Sequence, residues 1–274
     1  MGDVGGFRVT RGAGDTGPAV VAYPMVEEDQ ATGAVAAVYA DLLDGGMPFV
    51  PSLFKSLALC PAYLVLAHDQ AAGVLSDPHF AQAAEALPET VRTASRPPPE
   101  DETREMVARF VSPLTRMLLL TAGLCEALDG RLQAPPARPR QLSPGPVRPS
   151  QPAPSTPDAD EPTLFGEIRA ALRTPIVNSI WRSLASSGQL GVAWRAFAPQ
   201  VARTDPAADA LRRHALDVAG SLPWRSAADG ESLRACGAQD AAAGMRTVLT
   251  GYLHTLPRVL TLAASSLPEG GREG

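Results

Sequence analysis

One stretch of this chain is written twice, and that constrains its fold more than any other feature. Met47-Pro-Phe-Val-Pro-Ser-Leu-Phe-Lys-Ser-Leu-Ala58 returns as Thr174-Pro-Ile-Val-Asn-Ser-Ile-Trp-Arg-Ser-Leu-Ala185. A single shift superposes Pro48 on Pro175, Val50 on Val177, Ser52 on Ser179, and Ser56-Leu57-Ala58 on Ser183-Leu184-Ala185. Phe54 then meets Trp181, and Lys55 meets Arg182. An apolar-acidic segment precedes each copy, Val38-Tyr-Ala-Asp41 in one and Leu164-Phe-Gly-Glu167 in the other. Two copies of one unit are expected to pack as a pseudo-dimer, each burying the face it cannot bury alone. A shared pocket then belongs in the cleft between them, near the pseudo-twofold axis.

Helical spacing of apolar residues carries the class. Val35, Val38, Tyr39 and Leu42 fall on one side of a helix over 26–43, ended by Gly45-Gly46. Pro61 suits the first turn of the next helix, whose inward positions are Leu64, Ala67, Ala71 and Leu75. A short helix over 80–87 and a break at Arg96-Pro-Pro-Pro99 follow. Asp101, Glu102 and Glu105 then open a long helix with the stripe Met106, Phe110, Leu114, Met117, Thr121, Leu124 and Leu128, kinked at Pro113. In the second half, helices are expected over 164–172, 176–185, 192–201 and 209–218. A long closing helix over 239–267 holds Pro257 inside it. No segment alternates at period two. The expected fold is therefore all-α: a flexible leader (1–22), a helical repeat (23–130), a Pro-rich linker (131–162) and a second repeat (163–268).

Composition narrows the partners. Hydrophobic residues make up 45% but aromatic ones only 5%, so Ala, Leu and Val must build the core. A net charge of −5 argues against a nucleic-acid surface. The three cysteines, Cys60, Cys125 and Cys236, have no disulfide or zinc spacing, and no metal or other cofactor is expected. The start of the chain lacks a signal-sequence pattern. No apolar run reaches the ~18 residues of a membrane span. A cytoplasmic protein without nucleic-acid or membrane partners is expected, with a homodimer as an open possibility.

Tyr39-Ala-Asp-Leu-Leu, Pro48-Phe-Val through Phe54-Lys-Ser-Leu-Ala58, Pro61-Ala-Tyr-Leu, Leu118-Leu-Leu-Thr-Ala-Gly-Leu124 and Val248-Leu-Thr-Gly-Tyr252 together resemble the group I 2-haloacid dehalogenase family. The resemblance implies an all-helical tandem repeat with the active site between the halves. It implies displacement of halide from the α-carbon of a short acid by an Asp-activated water, without a covalent enzyme ester. That Asp directly follows a Ser in the second copy of the repeated stretch. Here the Ser is Ser179, but the next residue is Ile180. An assisting Asn of the family falls on Val111, a pocket aromatic on Phe49 and a closing-helix Tyr on Tyr252. The chain thus resembles a divergent member without the water-activating carboxylate, which Ile180 cannot replace.

The remaining candidates have bland and sharp readings side by side. Asn178 and Ser179 stand where a loop enters a helix, so they either cap it or bind substrate, with Ser52 as the equivalent of Ser179. Lys55 and Arg182 either snorkel, pair with Asp41 and Glu167, or face the axis as a site for an anion. Arg116 and Arg258 invite the same choice, with solvated positions favoured. Trp181 and Trp194 are core or pocket wall. Tyr252 and His254 cannot share a helix face, and the apolar stripe selects Tyr252. Asp41, or Glu167 opposite it, is the remaining candidate for a general base.

The functional expectation is displacement of an anionic leaving group, halide or sulfate-like, at a saturated carbon of a small carboxylate substrate. An amine of the substrate itself serves as nucleophile and closes an aziridine-type ring. Asp41, Arg182 and Lys55 are the expected catalytic groups, with Phe49, Ser52, Asn178, Ser179, Trp181 and Tyr252 binding substrate. Hydrolytic 2-haloacid dehalogenation and non-catalytic binding are the alternatives.

Overall fold

The structure is a computed structural model and describes residues 25–45, 47, 49–140, 142, 161–174 and 176–268, with backbone only at 161 and 162. The leader over 1–22, the repeated prolines Pro48 and Pro175, and most of the linker lie outside the described residues. Among the described residues the protein is all-α. One isolated bridge, Pro136 to Ala227, is the sole β-type pairing there.

The first half runs α1 (Gly33–Asp44), α2 (Ser52–Leu57), α3 (Pro61–Leu75), α4 (Pro78–Ala86), α5 (Asp101–Ala108) and α6 (Val111–Leu128). The second runs α7 (Glu161–Leu172), α8 (Ser179–Ser186), α9 (Leu190–Phe197), α10 (Val201–Ser221), α11 (Gly230–Ala235) and α12 (Ala242–Ala263). The long helices form the centre: α12 lies along α6, and α10 packs against both. The pairs α1–α3 and α7–α9 lie alongside. Buried side chains from both halves join in one hydrophobic core. The stretch Asp101–Leu128 is long and apolar enough by composition to cross a membrane, but most of its apolar window is buried inside the protein.

Prolines set several boundaries. Pro61 and Pro78 stand in the first turns of α3 and α4, where their missing N–H costs nothing. Asp77 caps α4, accepting the His79 N–H at 2.8 Å. The expected single helix from Asp101 to Leu128 is instead two, α5 and α6. Within a continuous helix the Pro113 ring would crowd the Arg109 carbonyl, so the chain breaks at Arg109–Phe110 and Pro113 sits in the first turn of α6. Pro257, by contrast, stays inside α12 as expected.

Other departures are smaller. The first helix begins at Gly33 after a short 3₁₀ turn (Glu28–Gln30), and Gly45 ends it with φ −72, outside the left-handed region. α10 is longer than its stripe suggests and holds Pro206 internally, and α11 is additional. The described start of the linker is held in place: Ala137 N–H donates to Ala227 O at 2.7 Å, and Ala227 N–H to Pro135 O at 2.8 Å. Gly123 on α6 lets the Trp224 ring lie directly on the helix backbone.

Candidate active site

A cavity of about 480 Å³ opens among α1, α2, α3, α6, α8 and α12. The beginning of each copy of the repeated stretch reaches it. Ser52 is the first residue of α2 and Ser179 the first of α8, and both face the cavity. Their hydroxyls hydrogen-bond each other at 3.1 Å across 127 residues of sequence. Contact between a residue and its own equivalent is what a twofold relation places on its axis.

Asn178 precedes α8 in an extended conformation (φ −63, ψ 156), as an N-cap residue does, yet its side chain makes no cap hydrogen bond. It is 3% exposed, and its Oδ1 has no hydrogen-bond partner. An unsatisfied buried amide oxygen on a cavity wall is expensive, which sets Asn178 apart from an ordinary cap. Ile180, the next residue but one, is buried and presents an apolar surface to the cavity.

The opposite walls are aromatic and charged. Phe49 and Phe110 stack at 5.8 Å between centroids, tilted by 35°, and both line the cavity. Tyr252 enters from α12, its hydroxyl 2.9 Å from the buried Ser56 hydroxyl. His254, two residues on, is exposed. Asp41 on α1 borders the cavity with its side chain 49% exposed, and its Oδ2 lies 2.8 Å from His68 Nε2 on α3. Burial is the largest influence on His68 and pulls its pKa below the ordinary imidazole value. Attraction to Asp41 opposes this, and the Arg140 charge adds to it. Arg116 on α6 also lines the cavity, with its guanidinium 5.6 Å from the centre of the Phe80 ring and donating to Leu75 O at 2.9 Å.

Three expected site residues stand elsewhere. Lys55 and Arg182 are absent from the cavity wall, which corrects their placement as its anion site. Lys55 is bound by Glu27 Oε2 at 2.9 Å and Glu28 Oε1 at 3.1 Å, and Arg182 by Glu27 Oε1 at 2.8 Å. One carboxylate thus bridges the two equivalent cations, in place of the expected partners Asp41 and Glu167. The cause is the segment ahead of α1, which the repeated stretch does not include. Val26 N–H donates to Lys55 O at 3.0 Å, and Tyr39 OH to Val26 O at 2.8 Å, so Glu27 is carried onto both cations. Trp181 is likewise no part of the wall. It is fully buried, edge-on to Trp194 at 5.7 Å and to Phe197 at 6.3 Å. Glu167 is exposed, accepts the Trp194 Nε1–H at 3.3 Å, and does not reach the cavity.

His68, Phe110 and Ser112 were not expected at the site, and Arg116 was expected in solvent. A signal existed for His68: it follows Leu64 by four residues, so it lies on the inward stripe of α3. Arg116 has no such signal, since only the packing of α6 beside α4 decides where its guanidinium goes. Arg258, for which the same choice stood open, pairs with Asp205 at 2.9 Å. Val111 is buried without lining the cavity, and its neighbour Ser112 lines it.

No protein-family profile and no curated protein matches the chain. Solved structures do. A D-2-haloacid dehalogenase mutant superposes with a TM-score of 0.72 at 16% identity, covering 89% of this chain and 95% of that one. A D-2-haloacid dehalogenase mutant in complex with D-2-CPA gives 0.71 at the same identity and coverage. A D-2-haloacid dehalogenase in complex with L-LA gives 0.69 at 16% identity, over 89% and 96%. At this identity the likeness establishes the fold: the chain is folded as those dehalogenases are.

Proposed function

We propose that this protein is an enzyme of dehalogenase-like displacement chemistry, in which the nucleophile is an amine of the substrate and the product an aziridine-type ring. The observation that carries the proposal is Ile180. Where the family resemblance implies a water-activating Asp after Ser179, an apolar side chain faces the cavity. The acid on the lining is Asp41, on a different wall. Intramolecular attack needs the chain held in near-attack geometry, which can supply roughly 7–11 kcal/mol. It also gains from an apolar surround that keeps water from the reacting carbon.

Within this scheme Asp41 takes a proton from the amine, the nitrogen attacks the neighbouring carbon, and the C–N bond forms as the bond to the leaving anion breaks. Arg116 replaces Lys55 and Arg182 as the cation that stabilises the departing anion, a role whose effect grows as negative charge develops. Phe49 and Phe110 shape the pocket, and Ser52, Ser179 and Tyr252 supply hydrogen bonds to a carboxylate. The recurrent helix order and the Ser52–Ser179 contact support a duplicated unit, with the cavity built mainly on the first copy.

The test uses short amino acids with a leaving group vicinal to the amine, such as 3-chloroalanine and serine O-sulfate. Aziridine-2-carboxylate is sought by mass spectrometry beside chloride or sulfate release. Ring closure with little serine is expected, and Arg116→Ala should lower its rate by about tenfold or more, as losing one charge-stabilising donor does. Hydrolysis of 2-chloropropionate by the wild type would instead assign Asp41 to water activation. No turnover of either class would leave a binding protein.

A further inference from the structure

The side chains around the cavity carry ionisable charge at two places, Arg116 and the Asp41–His68 contact. In that contact His68 is 2% exposed, and its second ring nitrogen, Nδ1, is buried with no hydrogen-bond partner. A carboxylate beside Nε2 at 2.8 Å needs a donor, so Nε2 carries the proton and Nδ1 keeps a bare lone pair. A second proton on Nδ1 would be a buried N–H without an acceptor, so the geometry favours the neutral imidazole. Burial, opposed by Asp41 on α1 and Asp69 on α3 and aided by Arg140 in the linker, lowers the ring's pKa in the same sense. The pair therefore bears one net negative charge, with a half-exposed carboxylate pointing from a fixed support. Had the imidazole been charged, the pair would be neutral and without attraction for a cation.

We propose that the Asp41–His68 pair is an ammonium subsite: Asp41 receives the primary amine of the substrate in its cationic form, and His68 is the positioning residue that fixes the carboxylate for it. Identification of this amine with the attacking nitrogen rests on the ring-closure function proposed above. The ammonium proton passes to Asp41, the freed lone pair forms the C–N bond as the leaving anion takes the electrons of the breaking bond, and the protonated ring nitrogen gives its second proton to solvent. Arg116 provides the opposite charge for that anion or for the substrate carboxylate. A cavity with one fixed anion and one fixed cation suits an amino-substituted acid, and the anion has no partner in a plain halo-acid.

Ethylammonium chloride, titrated into the intact protein and followed by NMR, tests the subsite without any turnover. Asp41→Asn should weaken ethylammonium roughly tenfold or more, as losing a charge-assisted contact does. His68→Leu should also weaken it severalfold, whereas His68→Gln, which presents an N–H at similar reach, should restore most of the affinity. Nitrogen-15 spectra of the wild-type imidazole should place the proton on Nε2. Unchanged affinity in Asp41→Asn, equal behaviour of His68→Leu and His68→Gln, or a proton on Nδ1 would overturn the proposal. If His68→Leu does not fold, the Asp41→Asn and His68→Gln titrations and the wild-type spectrum decide it. Ethylammonium bound as expected, with no aziridine from any substrate, would retain the subsite and remove ring closure. Aziridine formed without an ammonium site would do the reverse.

Discussion

Replacing Ile180 by Asp places a carboxylate directly after Ser179, and the structure sets both its cost and its effect. Ile180 is 1% exposed and sits at the second position of α8. Losing its burial costs about 2–3 kcal/mol in transfer free energy. The new carboxylate stands in the first turn of the helix, where the macrodipole returns about 0.3–1 kcal/mol. Ile180 belongs to the hydrophobic core and also borders the cavity, so the shorter Asp side chain leaves room for cavity water to approach the charge and lessen the full penalty of a buried ion. The net cost should be about 1–3 kcal/mol, read as a lower urea midpoint with an unchanged slope. Functionally, a general base facing the cavity should raise hydrolysis of 2-chloropropionate by about a hundredfold or more. With 3-chloroalanine the variant should divert product from aziridine-2-carboxylate toward serine. Halide release and product ratio by mass spectrometry measure both. A folded Ile180→Asp protein with neither gain nor diversion would show that a carboxylate after Ser179 is not what separates this cavity from a hydrolytic one.

Two further substitutions probe what holds the site. Glu27→Gln should destabilise the protein by about 1–3 kcal/mol near pH 7, since Lys55 stays buried with Glu28 as its remaining anion. Burial raises the Glu27 pKa, but hydrogen bonds and charge from Arg182 and Lys55 outweigh it, so the folded value lies below the ordinary 4.5. The wild-type advantage should therefore be complete above about 4.5 and shrink as pH falls through the depressed folded value, which urea titrations of both proteins over pH 3–7 will show. Gly123→Ala would put a Cβ 2.2 Å from Cζ2 of Trp224, whose Nε1–H is held by Ala219 O at 2.6 Å. Overpacking should outweigh the ~1 kcal/mol of helix propensity gained and leave a net loss of about 1–3 kcal/mol, whereas a rise in melting temperature would refute the close approach.

The fold was legible because its determinants are local. Helical periodicity, prolines at first turns and the repeated stretch each act within a few residues, and the helices follow them. Errors arose where one local rule had two solutions. Pro113 is compatible with a kink or with a helix start, and the crowding at Arg109 decides for the start. The cavity was legible wherever the repeated stretch itself reached it, at Phe49, Ser52, Asn178, Ser179 and Ile180. Lys55 and Arg182 were recognisable as equivalent cations, but a long side chain beside an axis can turn to either side. Glu27 decides the matter from outside the repeat, and nothing in its own sequence neighbourhood marks it as their partner. His68 shows the converse, a polar residue on an inward stripe whose meaning appears only once α1 lies against α3 and brings Asp41 to its ring.

The site has two characters. The two copies of the repeated stretch each supply one serine and one cation, Ser52 with Lys55 and Ser179 with Arg182. The serines meet at 3.1 Å, whereas a single carboxylate, Glu27, joins the cations away from the cavity. With both cations neutralised there, Asp41 and Arg116, both from the first half, are the opposed charges on the cavity lining. Lys55 and Arg182 would act on any substrate from two equivalent directions, whereas Asp41 and Arg116 distinguish one end from the other. A reaction that must hold an amine and a leaving group in a fixed order needs that distinction. Under the proposed ring closure, the Asp41–His68 contact supplies the anionic end of that distinction and Arg116 the cationic one.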